Sequence, residues 1–162
     1  MGSADVTLPP VKQLGMVVTD AERTARTMQA LLGWGPFMLR DIEINNFRFR
    51  GEIGSCVIKV AIGYSGPVEI EFIEVVRGSA ANPYSEFLRQ HGEGIHHIRL
   101  DSTLELSVAE QLAVFAQHGI QPFFQVALRW DDWEVEAAYV DARQSCGLVV
   151  EVSGPPRLIA AA

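Results

Sequence analysis

A chain of 162 residues, 48 % of them hydrophobic, is long enough to bury a core without staples, as one domain or as two half-domains that share it. Thirteen Lys and Arg against twenty Asp and Glu leave a net charge of −7, which repels phosphate backbones and anionic headgroups and argues against nucleic acid or a membrane surface as partner. Cys56 and Cys146 are too few for a disulfide framework and lack metal-motif spacing, so reduced thiols in a cytoplasmic protein are expected. The first ten residues have neither the basic start nor the apolar core of a signal peptide, and no apolar run approaches the roughly 20 residues that span a bilayer.

Residues 1–10, closed by Pro9-Pro10, read as a loose tail. Val11 to Thr19 is β-branched and apolar with one internal glycine, a buried strand. Asp20 can then cap a helix whose stripe Ala25, Met28, Leu32 ends at Gly33, and Trp34-Gly35-Pro36 turns the chain. Strands are expected over Phe37 to Ile44, Cys56 to Tyr64 and Val68 to Val76, separated by Gly51, Gly54 and Ser65-Gly66-Pro67. Phe47-Arg48-Phe49-Arg50 alternates and either prolongs the first of these or stands alone. A short helix from about Pro83 to His91, stopped by Gly92, delivers the chain to Ile95-His96-His97-Ile98-Arg99-Leu100.

The order of events then repeats. Ile95 to Asp101 is a strand, Leu104 to His118 a helix, and Ile120 to Leu128, Val135 to Val140 and Leu148 to Val152 are three strands. The sequence therefore predicts an α+β fold of two tandem βαβββ units, 11–76 and 95–155, joined by a linker over 77–94 and followed by a tail over 156–162. If the halves superpose, Gln13 in the first strand corresponds to His97 and Glu71 in a last strand corresponds to Glu151, with Glu71 58 residues after Gln13 and Glu151 54 residues after His97. Each interrupts an apolar run, and an unpaired buried carboxylate is costly enough to find a partner or a proton. A lone glutamate in a strand ordinarily faces solvent. Two carboxylates, an imidazole and an amide oxygen in equivalent places would satisfy one another through a divalent ion.

Gly92 to Leu100, Val68-Glu69-Ile70-Glu71-Phe72-Ile73, the Leu31-Leu32-Gly33-Trp34-Gly35-Pro36 corner and Leu148-Val149-Val150-Glu151-Val152 together resemble the vicinal oxygen chelate superfamily, with the glyoxalase and methylmalonyl-CoA epimerase branch most similar. The resemblance covers about residues 11–155 and implies a curved, cup-like mixed sheet. It implies one metal ligand at each of Gln13, Glu71, His97 and Glu151. Gln13 departs from the histidine usual in bacterial epimerases and resembles the animal glyoxalase I arrangement. One nitrogen and three oxygen donors suit Zn, Ni, Co or Mn, and differ from the two histidines and one carboxylate of the ring-opening dioxygenases.

The chemistry that the resemblance implies is proton abstraction next to a carbonyl, with Glu151 as base and Glu71 as second base. An acyl-CoA thioester leads as substrate, a glutathione hemithioacetal is the enzyme alternative, and a metal-free small-molecule binding module is the alternative outside catalysis. A homodimer is expected. By strand alternation His96 points away from His97, as a packed neighbour, while Arg99 shares the face of His97, either paired with Glu69 or receiving a substrate carboxylate or phosphate. Glu43 and Glu52 are minor candidates for the base, and Arg48 with Arg50 is a weak phosphate cluster. Trp34, Phe37, Phe47, Phe49, Phe123, Phe124, Trp130 and Trp133 divide between core and an apolar pocket. Leu128 to Trp133 is a hairpin tip, either a lid or dimer contact or a plain surface turn.

Overall fold

Two parallel strand pairs, each joined by a crossover that runs through a helix and an antiparallel strand pair, set the plan of the molecule. The computed structural model describes residues 7–101 and 106–159, with Trp130 by its backbone alone. The outer parts of both expected tails and the start of the expected helix over 104–118 lie outside the described residues. In the first unit β1 (Val11–Val17) leads to α1 (Ala21–Leu32), then β2 (Met38–Phe49), β3 (Glu52–Ser65) and β4 (Val68–Gly78), which returns parallel to β1. Helix α2 (Pro83–His91) follows. The second unit is β5 (Gly94–Leu100), α3 (Val108–Ala116), β6 (Pro122–Trp130), β7 (Trp133–Ala142), the short α4 (Arg143–Cys146) and β8 (Leu148–Ser153), parallel to β5.

Local chemistry sets the helix ends. Asp20 accepts from the Arg23 N–H and Gly33 closes α1 in the left-handed region, as the sequence predicts. Helix α3 starts later than expected, because Ser107 and Glu110 form a reciprocal capping box there. Within the stretch expected as a tail, Arg157–Leu158 pairs as β9 with Trp133 and Glu134, so these two residues form a strand. No helix among the described residues is long and apolar enough to cross a membrane.

The strands run β6-β2-β3-β4-β1-β5-β8-β7-β9, and β6 pairs with both β2 and β7, so eight strands close into a ring. Closure comes from the Phe47-Arg48-Phe49 extension: β2 runs on past a bulge, where Asn46 has φ 56°, and Arg48 and Phe49 pair with Gln125 and Phe124. Phe47, Phe49, Phe124, Ile44 and Val60 fill the closed end, while α1 covers Ile70 and Phe72 and α3 covers Val140 and Val152 outside. Burial of this apolar surface is the main stabilising term. Cys56 sits in that core, where burial pushes its thiol up to about 11, and both cysteines are free thiols.

The halves meet at the antiparallel pair β1–β5, and its register expresses the repeat. Gln13 lies opposite Arg99 and Gly15 opposite His97, while Gly15 pairs with Glu71 as Arg99 pairs with Glu151. These are the pairings of a pseudo-twofold that exchanges Gln13 with His97 and Glu71 with Glu151.

Candidate functional site

Strand alternation turns Gln13, Glu71 and Glu151 toward the interior of the ring, where they line a cavity of about 480 Å³. His97 stands behind its floor, fully buried. Its Nε2 lies 2.9 Å from Glu151 Oε2, 3.3 Å from Gln13 Oε1 and 3.7 Å from Glu71 Oε2. The four residues singled out in the sequence are thus brought to one point, with the imidazole nitrogen at its centre. Other atoms of His97 line a second cavity of about 310 Å³ with Phe87, Phe123 and Val149, so the ring is a partition between the two.

The β1–β5 pairing explains how an imidazole reaches that place. Register slips between Gly15↔His97 and Met16↔Ile95, leaving His96 as the extra residue of a bulge in β5. The bulge breaks the alternation that predicts His96 pointing away from His97, which corrects its direction but not the packed place expected of it. His96 is buried, packs against Tyr84, Phe87 and Tyr139, and places its Nδ1 2.9 Å from the Nδ1 of His97. Burial first, then the charges of His97, Arg143 and His91, push its pKa down to about 2, so it stays neutral. Two groups not singled out in the sequence complete the mounting of His97. Tyr139 stacks on the ring at 4.8 Å between centroids and bonds to Tyr84 through their hydroxyls at 3.0 Å. Gly15 leaves the space that the ring fills.

Glu69 organises the opposite wall. Its Oε1 accepts from Gln13 Nε2 at 2.5 Å, which turns the Gln13 oxygen toward His97, and from Arg99 Nη2 at 2.9 Å. Its Oε2 accepts from the Tyr64 hydroxyl at 3.1 Å. Arg99 lines the cavity held by Glu69, and although burial works against its charge, Glu151, Glu69 and Glu71 together raise its pKa. Burial pushes the Glu71 carboxyl up to about 7, with His97 opposing and Glu151 adding to the rise.

The remaining candidates lie elsewhere. Glu43 lines a small separate pocket with Arg77, and Glu52 is exposed at the start of β3, so neither lines the cavity. Arg50 is bound through both nitrogens to Glu86 at 3.0 and 2.6 Å. The cavity wall is aliphatic, from Met38, Ile42, Ile58, Ile62, Ile73, Leu128 and Val135, with Tyr64, Tyr84 and Tyr139. Phe37, Phe47, Phe49, Phe124 and Trp34 pack in the cores, and Phe123 faces the second cavity.

Among the described residues no group of three or more His, Cys, Asp or Glu side chains forms a ready-made metal cage. The donors nevertheless fit a divalent ion in kind, one nitrogen and three oxygens, once the amide of Gln13 is counted. Their separations from the imidazole nitrogen bracket the spacing an ion requires. Two ligand atoms that each lie about 2.0–2.2 Å from a shared ion stand roughly 3.0–3.4 Å apart, and the separations from Nε2 run from 2.9 to 3.7 Å.

Three solved structures share this fold. Methylmalonyl-CoA epimerase from Mycobacterium tuberculosis aligns with TM-score 0.61 at 16% identity, covering 95% of this chain and 93% of that one. A methylmalonyl-CoA epimerase in complex with methylmalonyl-CoA and NH4+ aligns with TM-score 0.61 at 15% identity, over 96% of this chain and 100% of that one. A variant of the Streptomyces coelicolor epimerase in complex with 2-nitronate-propionyl-CoA gives TM-score 0.61 at 15% identity, again over 96% and 100%. No curated protein sequence matches the chain. The family model described as Glyoxalase/Bleomycin resistance protein/Dioxygenase superfamily matches residues 12–136, and the chain, carrying that family's curved α+β fold, belongs to it.

Proposed function

We propose that the protein is a metal-dependent epimerase or isomerase that removes a proton from the carbon next to a carbonyl, with an acyl-CoA thioester as substrate. The observation that carries this reading is the convergence of Gln13, Glu71 and Glu151 on the Nε2 of His97 at the floor of a cavity. These four side chains are the residues that would hold one divalent ion. When bound, such an ion supplies Lewis-acid stabilisation of the negative charge that grows on the carbonyl oxygen, an effect worth several kcal/mol.

The chain's own residues do the rest. Glu151 takes the proton from one face and Glu71, carrying a proton, delivers it to the other, with the roles exchanged in the reverse direction, the arrangement an epimerisation needs. Arg99, tethered to Glu69 at the cavity wall, adds positive potential where the substrate's charge develops. The aliphatic wall excludes water and takes the acyl group. Structural neighbours that bind methylmalonyl-CoA and 2-nitronate-propionyl-CoA support the choice of substrate class.

Solvent-deuterium exchange tests the reaction. Incorporation into the acyl carbon of methylmalonyl-CoA, lost in E151Q, is the expected result. Turnover of the glutathione hemithioacetal of methylglyoxal, with no exchange into the thioester, would replace this reading with the glyoxalase one.

A further inference from the structure

Five charged side chains line the larger cavity: Glu69, Glu71, Glu151, Arg99 and Arg40. Four of them are engaged with one another. Arg99 bonds to Glu69 and lies in the field of all three carboxylates, and Glu71 and Glu151 face His97. Arg40 differs, since its side chain has no hydrogen bond or ion pair among the described residues. It sits on the inward face of β2 between Met38 and Ile42, which line the same cavity, opposite Val60 of β3. Arg40 is exposed, so its unpaired guanidinium is open at the cavity wall, and its fork suits a carboxylate or phosphate.

A second observation indicates that the cavity is built for a polar ligand. Ser153, two residues beyond Glu151 on the same face of β8, is 3 % exposed and lines the cavity. Its Oγ has no hydrogen-bond partner among the described residues. Buried hydroxyls are normally paired, and an orphaned one at a binding site points to a ligand atom as the partner.

We infer that Arg40 sets the charge selectivity of this cavity by receiving an oxyanion of the ligand, while Ser153 bonds to a second ligand oxygen. Arg40 is a specificity residue on the wall, separate from the groups at the floor. The oxyanion is either a carboxylate on the acyl group or a phosphate of the carrier, and both offer the same chemistry to a guanidinium. The inference rests on the proposed reaction only for its choice of thioester probes.

Calorimetric binding to the metal-loaded protein tests it with three ligands. The N-acetylcysteamine thioester of methylmalonic acid carries a carboxylate and no phosphate, propionyl-CoA carries phosphates and no acyl carboxylate, and the N-acetylcysteamine thioester of propionic acid carries neither. R40Q is expected to weaken one of the two anionic ligands about tenfold or more, and the ligand affected identifies the oxyanion. R40K should recover part of the loss, since it restores charge without the fork. The uncharged thioester should bind R40Q within about threefold of wild type. S153A should weaken charged and uncharged thioesters alike, by about three- to tenfold. Equal affinities of wild type and R40Q for all three ligands, or an equal loss for all three, overturns the role of Arg40. Unchanged binding to S153A removes Ser153 from the site. Because the readout is binding, selectivity lost in R40Q without deuterium exchange in wild type refutes the proposed reaction alone. Exchange in wild type with unaltered selectivity in R40Q refutes this inference alone.

Discussion

Gly15 and His97 face each other across the central strand pair, and the absence of a side chain on one makes room for the ring of the other. A Cβ on Gly15 would stand 2.1 Å from Cε1 and 2.3 Å from Nε2 of His97. Those are the atoms at the meeting point of Gln13, Glu71 and Glu151. Gly15→Ala is therefore expected to displace the imidazole and to lower divalent-metal affinity by about 10- to 100-fold. Metal titration with circular dichroism as a fold control checks this, and wild-type affinity in a folded Gly15→Ala protein would contradict it.

His96 bears on the site through His97. With an ion in the site, a neutral His96 whose Nδ1 accepts from the Nδ1–H of His97 would leave the lone pair of His97 Nε2 for that ion. His96→Phe keeps an aromatic ring among Tyr84, Phe87 and Tyr139 but removes the acceptor. The expected outcome is a loss of metal affinity of about 10-fold or more with little change in melting temperature. A large fall in melting temperature with unaltered affinity would make His96 a packing residue only.

The pH dependence of stability follows from Glu71. Its carboxyl is pushed up to about 7 from an ordinary 4.5, chiefly by burial. A raised value means that the stabilising contribution is full below the unfolded value and is lost as pH rises through about 7, because the unfolded chain releases the proton first. In chelator-treated protein, wild type should lose about 3 kcal/mol more stability than Glu71→Gln on going from acid to pH above 7. Urea unfolding at several pH values measures this, and parallel profiles would contradict it.

Tyr84 and Tyr139 share a buried hydroxyl pair at 3.0 Å beneath His97. Tyr139→Phe strands the Tyr84 hydroxyl and should cost about 1–3 kcal/mol, whereas the double replacement by phenylalanine removes both partners and should recover most of that loss. Additive losses in the double variant would show that the hydroxyl pair contributes little.

Much of the fold was legible because the chain repeats its order of elements and because polar residues at Gln13, Glu71, His97 and Glu151 interrupt apolar strands at equivalent places. Features that depend on departures from regular pairing were not legible. Alternation predicts His96 pointing away from His97, and only the register shift between Gly15 and Met16 brings the two rings together. Closure of the ring by Arg48 and Phe49 against Gln125 and Phe124 joins segments far apart in the chain, which no local pattern encodes. Arg40 was silent for a related reason. In Met38-Leu39-Arg40-Asp41 either face can be the inner one, and the pairing of β2 with β3 decides it.

The central claim is that Gln13, Glu71, His97 and Glu151 hold one divalent ion. X-ray absorption spectroscopy on protein loaded with cobalt or zinc, paired with metal analysis, tests it most directly. The account predicts one ion per chain with a shell of nitrogen and oxygen donors at about 2.0–2.2 Å, lost in H97A and depleted of one light donor in Q13A. No stoichiometric ion, together with a melting temperature unmoved by added cobalt or nickel, would contradict it.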